Sequence, residues 1–386
     1  MANNNKHTGP NVPALRFPEF SGEWIESKLG DIADFSKGAG ISKDQRSEEG
    51  NPCILYGELY TRYKSEVITN VFSKTALPDS ELVKSKSNDI IIPASGETAE
   101  DIATARCVPF DNILLGGDLN IIRLHEQDGK FFSYQLNGVR KYDIATVAQG
   151  VSVVHLHAGD LKGITVKYPS HIAEQEKISQ ILGLIDDRIA TQSKIIEDKE
   201  TLYKAISNIL FSHYANSSPT YQLGDLANLY QPETIPSTKL SRGGRYLVYG
   251  ANGIIGRYDK YNHEESQICL TCRGNTCGNI NFSQPYSWIT GNAMVINIDN
   301  NTNNIDKRFL YHYMKNYNFT PFISGSGQPQ IIRSTVEKLP VLNVNIQTQK
   351  KIASILDSIV MSIDIARKKV DMDQNVKKYL FKNLFI

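Results

Sequence analysis

The chain has 386 residues, which exceeds one average domain and favours two globular units with connecting segments. Apolar residues make up 40% of it, and no apolar run approaches the roughly 20 residues that a helix needs to cross a bilayer, so no membrane association is expected. Five cysteines are too few for a disulfide framework, which indicates a cytoplasmic protein. The net charge of +1 neither requires nor excludes nucleic acid, so only local basic patches can decide that question.

The first 170 residues predict a tail followed by a globular unit. Residues 1–13 are polar and contain prolines, without the basic start and apolar centre of a signal peptide, and predict a flexible tail. Residues 14–170 contain short β-branched runs such as DIIIPA and GITVKY, broken by Gly, Pro, Asn and Asp. A short helix is expected near residues 131–142. This texture predicts an α+β unit built largely from short strands.

A long helix is predicted next, over residues 171–215. The segment 171–212 contains no proline and one glycine, and its apolar residues recur in alternating steps of four and three. This spacing predicts the seam of a coiled coil, and about 40 residues at about 1.5 Å each extend roughly 60 Å. The seam consists of Ile178, Leu182, Ile185, Ile189, Ile196, Tyr203, Ile206 and Leu210.

The second half of the chain repeats this order. Residues 216–345 have the strand texture of the first unit, and residues 346–386 predict a second long helix. The phrase EQEKISQIL at 174–182 returns as TQKKIASIL at 348–356, and the same offset keeps the two seams in register. Two long seams of equal phase in one chain are expected to pack on each other.

Shorter phrases extend the repeat into the globular units. KLGDIAD at 28–34 corresponds to QLGDLAN at 222–228, and ILYG at 54–57 corresponds to LVYG at 247–250. The expected fold is therefore α+β, with two similar globular units joined by two long antiparallel helices as a coiled-coil spacer. The duplication predicts a pseudo-two-fold arrangement.

This layout resembles the specificity subunit of type I restriction-modification systems. The similarity rests on WIESKLGDIADFSKGAGIS near the start, the two LGD phrases, SGSGQPQIIRSTVEKLPV before the second helix, and the two helix openings. It covers nearly the whole chain except the tail. The resemblance implies that each globular unit is a target recognition domain that reads one half of a bipartite DNA target. It also implies that the helices set the spacing between the halves and dock methyltransferase subunits.

The same resemblance implies the partners. They are double-stranded DNA, two methyltransferase (modification) subunits and, in the full complex, restriction/translocase subunits. S-adenosylmethionine, ATP and Mg are expected on those partner subunits, and no cofactor is expected in this chain. The first unit departs from the family pattern, because AQGVSVVHLHAGDLKGITV lacks the Gln-Pro-Gln of the second unit.

Side chains suited to DNA are concentrated in glycine-bearing loops. Arg and Lys bind guanine acceptors, Asn and Gln bind adenine, and separate contacts hold phosphates. In the first unit the predicted DNA-binding residues are Lys37, Lys43, Arg46, Arg62, Tyr63 and Lys64. In the second unit they are Lys239, Arg242, Arg245, Asn252, Arg257, Tyr258, Arg273, Asn275, Gln328 and Gln330.

Two groups of cysteine and histidine residues have too few ligands for a metal site. Cys269, Cys272 and Cys277 lie close together in sequence with His263 upstream, but a zinc site needs a second spaced pair of ligands. Alternation in a strand places His155 and His157 on one face, without a third ligand. We therefore predict no metal site in this chain.

No catalytic motif is evident either. The sequence has no glycine-rich turn for S-adenosylmethionine, no Asn-Pro-Pro-Tyr type tetrapeptide and no nuclease-like cluster of acidic residues with lysine. We therefore predict a non-catalytic subunit. Two alternatives stay open at this point, namely a stand-alone DNA-modifying enzyme with an unrecognised catalytic motif and a coiled-coil scaffold with two protein-binding heads.

Large apolar residues off the seams predict a docking face for partner subunits. They are Leu202, Ile209 and Phe211 on the first long helix, and Val376, Phe381 and Phe385 on the second.

Overall fold

The computed structural model describes residues 11–78, 80, 82–150, 152–215, 218–325 and 327–386. Most of the predicted tail, residues 1–13, lies outside this part of the chain. The described residues form two units, the first comprising the chain up to residue 193 together with 368–386, and the second comprising 194–367. No helix among the described residues is long and apolar enough to cross a membrane.

The first unit is built from short strands and short helices and leads into a long helix. Its strands are β1 (Ile25–Lys28), β2 (Ala33–Lys37), β3 (Arg46–Ser47), β4 (Asn51–Ile54), β5 (Ser73–Thr75), β6 (Val83–Lys84), β7 (Asp89–Pro93), β8 (Ser95–Gly96), β9 (Arg106–Val108), β10 (Leu114–Leu115), β11 (Leu119–Leu124), β12 (Val154–His155) and β13 (Thr165–Tyr168). Its helices are α1 (Glu58–Thr61), α2 (Ala99–Ile102), α3 (Gly129–Asn137), α4 (Lys141–Val147) and α5 (Ala158–Lys162), followed by the long helix α6 (Ile172–Ala215).

The core of the first unit lies around a four-stranded antiparallel sheet of order β2-β11-β7-β9. The β-branched run Ile90–Ile92 on β7 is fully buried, as is the pair Ile121 and Ile122 on β11. A strand whose residues are buried on both faces needs such a continuous apolar run. A second sheet contains the parallel pair β4 and β10.

The second unit repeats this construction. Its strands are β14 (Thr220–Gln222), β15 (Asn228–Tyr230), β16 (Tyr246–Gly250), β17 (Gly253–Tyr258), β18 (Ile268–Thr271), β19 (Ile280–Phe282), β20 (Trp288–Ile289), β21 (Ala293–Asn297), β22 (Ile323–Ser324), β23 (Gln330–Ile331) and β24 (Pro340–Leu342). Its helices are α7 (Leu223–Leu226), α8 (Lys307–Asn316) and α9 (Arg333–Val336), followed by the long helix α10 (Ile346–Leu384).

The strand orders of the two units correspond. The sheet β15-β21-β18-β19 has the same order and antiparallel pairing as β2-β11-β7-β9, and β16 pairs in parallel with β20 as β4 does with β10. Strand β14 pairs with β24 as β1 does with β13. The duplicated α+β architecture predicted from the sequence is confirmed.

Each unit contains part of both long helices. In the first unit, Asp186 of α6 binds Lys377 of α10, and Arg188 of α6 binds Asp373 of α10. The residue numbers rise on one helix as they fall on the other, so the two helices are antiparallel. In the second unit, Glu200 of α6 binds Arg367 of α10 at 2.6 Å. The seam residues Ile178, Leu182, Ile352 and Leu356 are buried as predicted.

The predicted apolar docking face is wrong for its three phenylalanines. Phe211 packs on Phe309 and Tyr313 of α8, with ring centroids 5.8 and 5.3 Å away. Phe381 and Phe385 pack on α3 of the first unit. The helical period alone does not show that these helix ends are covered by their own unit. Leu202, Ile209 and Val376 are exposed.

The glutamine that both long-helix openings share makes the same hydrogen bond in each unit. Gln349 is buried and accepts a hydrogen bond from the backbone N–H of Asp306, the N-cap of α8, at 2.8 Å. Its Nε2 donates to the carbonyl oxygens of Asn304 and Val344. Gln175 binds the N-cap Asp128 of α3 in the same way at 3.0 Å. The glutamine therefore fastens each long helix to the short helix of its unit.

Replacing Gln349 by leucine is expected to lower the free energy of unfolding of the second unit by about 2–3 kcal/mol, because buried backbone groups lose their partners. Hydrogen-exchange protection of α8 is the measurement. The control is Gln347→Leu, since Gln347 lies two residues away and is exposed. Equal protection in the two variants would contradict this role.

Candidate nucleic-acid interface

Two motifs that lie far apart in sequence meet in the second unit. Arg273 and Gln330 form an antiparallel bridge, and the Ile331 N–H donates to the Cys272 carbonyl at 3.0 Å. The Gly274 N–H donates to the Pro329 carbonyl at 2.9 Å. Residues directly opposite each other on antiparallel strands project to the same face. The side chains of Arg273 and Gln330 are therefore neighbours.

These side chains line a pocket of about 490 Å³ together with Gln231 and Arg333. All four residues are exposed, and we call them the Arg273 surface. Arg333 also binds Glu337 at 2.7 Å. Within the described part of the chain, the Arg273 guanidinium makes neither a hydrogen bond nor an ion pair. Sequence reasoning missed Gln231 and Arg333, although Arg333 directly follows the QPQII phrase.

The loop carrying Asn252 lies against the end of β18, the strand that directly precedes Cys272 and Arg273. Thr271 at the end of β18 donates to the Ala251 carbonyl, and the Oδ1 of Asn252 accepts from Asn279 and Asn281 at 3.2 and 3.3 Å. These bonds hold the Asn252 side chain by its oxygen. Asn275 lies exposed in the β18–β19 turn that Arg273 begins. The structure therefore places Asn252, Arg273, Asn275 and Gln330 around one strand end.

Gln328, also predicted to bind DNA, is exposed in the turn that leads into β23.

The remaining predicted residues of the second unit form another cluster around β17, the Arg257 cluster. The Arg257 guanidinium donates to the carbonyl oxygens of Gly244 and Arg245 at 3.2 Å each, which orients it along the loop. Tyr258 is half-buried against Trp288. Lys239, Arg242, Arg245 and Arg257 are exposed.

In the first unit, Lys43 and Arg46 line a pocket of about 650 Å³. The Arg46 Nε donates to the Lys43 carbonyl at 3.1 Å. Lys37 lies exposed at the end of β2. Arg62 and Lys64 are exposed after α1, and the Arg62 guanidinium lies over the Phe72 ring at 4.4 Å.

Tyr63 differs from the other predicted residues because it belongs to the core. It is 4% exposed, and its ring packs on Phe72. Burial raises the pKa of its hydroxyl to about 12. A side chain enclosed in this way cannot reach a DNA duplex, so Tyr63 is removed from the candidate interface.

Of the three cysteines, only Cys269 lies in a strand, β18, while Cys272 and Cys277 follow that strand in the turn towards β19. Cys269 and Cys272 are buried and Cys277 is partly buried. Burial raises the pKa of the Cys269 thiol to about 12, which disfavours the thiolate that binds metals. His263 is engaged by Tyr230 at 2.8 Å. Among the described residues, no group of three or more His, Cys, Asp or Glu side chains could hold a metal ion.

A Tyr-His-Asp arrangement in the second unit resembles catalytic geometry, but its histidine is enclosed. Tyr203 binds the Nδ1 of His312 at 2.9 Å, and the Nε2 of His312 binds Asp357 at 2.8 Å. The His312 side chain has no exposed surface. Burial lowers the pKa of its imidazole. Burial would raise the pKa of Asp357, but hydrogen bonds from His312 and Arg308 outweigh it and lower that pKa to about 2. The arrangement joins α8 to both long helices.

The fold and these surfaces define a protein with two similar α+β units. Each unit bears exposed cationic and amide side chains on loops and contains parts of two long helices. The model of a family described as "Type I restriction modification DNA specificity domain" matches residues 21–198 and 218–371. Because these segments cover most of the chain, the protein belongs to this family.

Individual relatives agree with this membership. The chain is 28% identical over 142 residues to a putative type I restriction enzyme specificity subunit of Haemophilus influenzae, covering 36% of each chain. It is 28% identical over 112 residues to the EcoprrI specificity subunit of Escherichia coli, which is 27% of that protein. Both alignments thus span about a third or less of these relatives. The MjaVIII specificity subunit of Methanocaldococcus jannaschii is 22% identical, with 94% of this chain and 92% of the relative aligned.

The fold is also found in a solved structure, the S subunit of a type I restriction-modification system from M. genitalium. The TM-score is 0.71 at 20% identity, and the match covers 97% of this chain and 99% of that one. The family membership that the sequence suggested is confirmed. Neither the stand-alone enzyme nor the protein-binding scaffold is favoured.

Proposed function

We propose that this chain is the DNA-recognition subunit of a type I restriction-modification complex and that each unit reads one half of a bipartite double-stranded target. The observation that carries the proposal is the duplication of one fold whose two copies expose different sets of Arg, Lys, Asn and Gln side chains. Equal folds with unequal surfaces suit the reading of two different half-sites.

The chemistry of the Arg273 surface supports base recognition. A guanidinium without an internal partner can donate two parallel hydrogen bonds to guanine O6 and N7, and a glutamine amide can pair with adenine. The exposed lysines and arginines of the Arg257 cluster suit phosphate contacts, which position a protein on the duplex without reading its sequence.

Each unit has a groove between its short helix and one of its long helices, and these two grooves support the docking of two methyltransferase subunits. In the second unit a pocket of about 720 Å³ lies between α8 and α10, lined by Arg308, Asp357 and Met361. In the first unit a pocket of about 520 Å³ lies between α3 and α6, lined by Tyr134 and Asp186. Two grooves at corresponding positions fit two copies of one partner. S-adenosylmethionine, ATP and Mg would act on the methyltransferase and restriction/translocase subunits, and this chain would contribute no catalytic group.

Replacing Arg273 by alanine is expected to weaken binding of the specific duplex by about 1–3 kcal/mol. If Arg273 contacts a base, the sequence preference relaxes at one position of the second half-site. If it contacts a phosphate, the loss is uniform and the dependence of affinity on salt becomes shallower. The target is first obtained by sequencing methylated sites in the host genome, and affinity is then measured for the methyltransferase complex on duplexes substituted in each half.

The control is Arg367→Ala, which removes an exposed arginine that binds Glu200 on the long helices. It should leave DNA affinity unchanged. Unaltered affinity of the Arg273→Ala complex across several salt concentrations would contradict the assignment of the Arg273 surface to DNA.

A further inference from the structure

The first unit contains the same hairpin that carries Gln330 in the second unit, although its sequence lacks Gln-Pro-Gln. In the second unit Gln330 pairs with Ser324 on one side and with Arg273 on the other. In the first unit His155 pairs with Gln149 on one side and with Ser95 on the other. Three segments therefore lie side by side in the same order in both units.

Backbone details establish the equivalence residue by residue. The Leu156 N–H donates to the Ala94 carbonyl at 2.9 Å, as the Ile331 N–H donates to the Cys272 carbonyl. Both hairpins turn through a glycine with positive φ, Gly150 at +127° and Gly325 at +92°. A Cβ on Gly150 would lie 2.1 Å from the carbonyl oxygen of the third following residue, and one on Gly325 would lie 2.7 Å from its counterpart. His155 therefore occupies the place of Gln330.

The side chains at this place form a polar row. Gln149, His155 and His157 are all exposed, and the two imidazole rings are stacked with centroids 6.3 Å apart and planes 7° apart. Ser95, the counterpart of Arg273, is small and buried, so the histidine rings are not overlaid by a long side chain. The described residues offer no third ligand with which the histidines could hold a metal.

We propose that Gln149, His155 and His157 contact the first half-site of the DNA target, as the counterparts of the Arg273 surface. This inference rests on the proposed function. An imidazole N–H donates to a phosphate oxygen or to a purine acceptor, and the glutamine amide can pair with adenine. The phosphate contact and the purine contact of the imidazole both go to an acceptor atom of the duplex, and only the purine contact depends on the base.

The experiment replaces His155 by alanine in the full methyltransferase complex and measures affinity for duplexes substituted in either half of the target. Binding should weaken by about tenfold. A base contact appears as relaxed preference at one position of the first half-site, and a phosphate contact appears as a uniform loss with a shallower salt dependence. Preference in the second half-site should be unchanged.

Two further variants sharpen the test. His125→Ala removes another exposed histidine of the same unit, one that faces Asp34, and should leave binding unchanged. His155→Gln installs the residue of the second unit and retains a donor, so it should bind more tightly than His155→Ala. If His155→Ala and His155→Gln lose binding equally while hydrogen exchange shows an intact first unit, donation by this side chain is refuted.

The outcomes separate this inference from the proposed function. If His155→Ala binds DNA with wild-type affinity while Arg273→Ala binds more weakly, only the role of the polar row is overturned. Wild-type affinity of both variants would overturn the assignment of both surfaces to DNA. A change in preference at the second half-site caused by His155→Ala would contradict the pairing of this row with the first half-site.

Discussion

Replacing Lys377 by methionine is expected to destabilise the first unit by about 3–5 kcal/mol. The Lys377 ammonium binds Glu66 and Asp186, and all three side chains are no more than 14% exposed. Tyr134 of α3 donates to the other oxygen of Asp186 at 2.8 Å. Methionine fills much of the same space but leaves the two buried carboxylates without the ammonium that contacts both of them. Removing one partner of a buried ion pair costs far more than the pair itself contributes.

The pH dependence of this variant has a definite sign. Burial raises the pKa of Glu66 even with Lys377 present, and removal of the ammonium raises it further. A carboxyl whose folded-state pKa lies above its unfolded value of about 4.3 destabilises the fold at pH above that range. The loss in Lys377→Met should therefore shrink as the pH falls towards about 4.3.

Hydrogen-exchange protection of α3 and of the β7 strand, compared between pH 5 and 8, measures both effects. Lys378→Met is the matched control, because Lys378 is the exposed neighbour on the same helix. A Lys377→Met variant with wild-type protection at both pH values would show that the buried cluster does not hold α3 to the long helices.

Inserting one heptad after Ile189 and one after Ile363 is expected to lengthen the preferred gap between the half-sites by about three base pairs. Seven residues rise about 10 Å in a helix, and a DNA base pair rises roughly 3.4 Å. Seven residues also preserve the phase of a heptad seam, so the apolar residues of both helices stay in register. The half-sites themselves should not change.

The accompanying rotation of about 100° around the duplex, at roughly 10.5 base pairs per turn, lowers the expected affinity. The measurement is therefore selection from a library of targets that differ only in gap length. A variant with four inserted residues at each site breaks the heptad phase and serves as the control. If the heptad variant folds, binds and still prefers the original gap, the helices do not set the spacing.

The sequence predicted those features that depend on periodicity and repetition. The heptad spacing from Ile178 to Leu210 needs only helical geometry, and the long helices begin at Ile172 and Ile346, next to the predicted starts. The LGD phrases predicted the correspondence of the two units because each begins with the same strand and turn. These signals are local or are visible by comparing the chain with itself.

Features that depend on contacts between distant segments could not be predicted in this way. Tyr63 follows Arg62 in a loop that looks exposed, yet its ring is enclosed by Phe72 and the core. The sequences around His155 and Gln330 differ, so comparing them does not reveal that the two residues are equivalent. Their equivalence lies in the backbone pairing and in the turn at the preceding glycine. A hairpin can keep its geometry through a glycine while every side chain that it presents changes.

The division of both long helices between the units affects how specificity could be exchanged by recombination. The first unit is discontinuous along the chain, since Phe385 near the C-terminus packs on Phe131 and the Asn383 carbonyl accepts a hydrogen bond from Leu15. A single crossover at the start of α6 would join a foreign recognition core to resident helix ends. A chimaera that takes residues up to 193 together with 368–386 from one parent inherits every segment of the first compact unit.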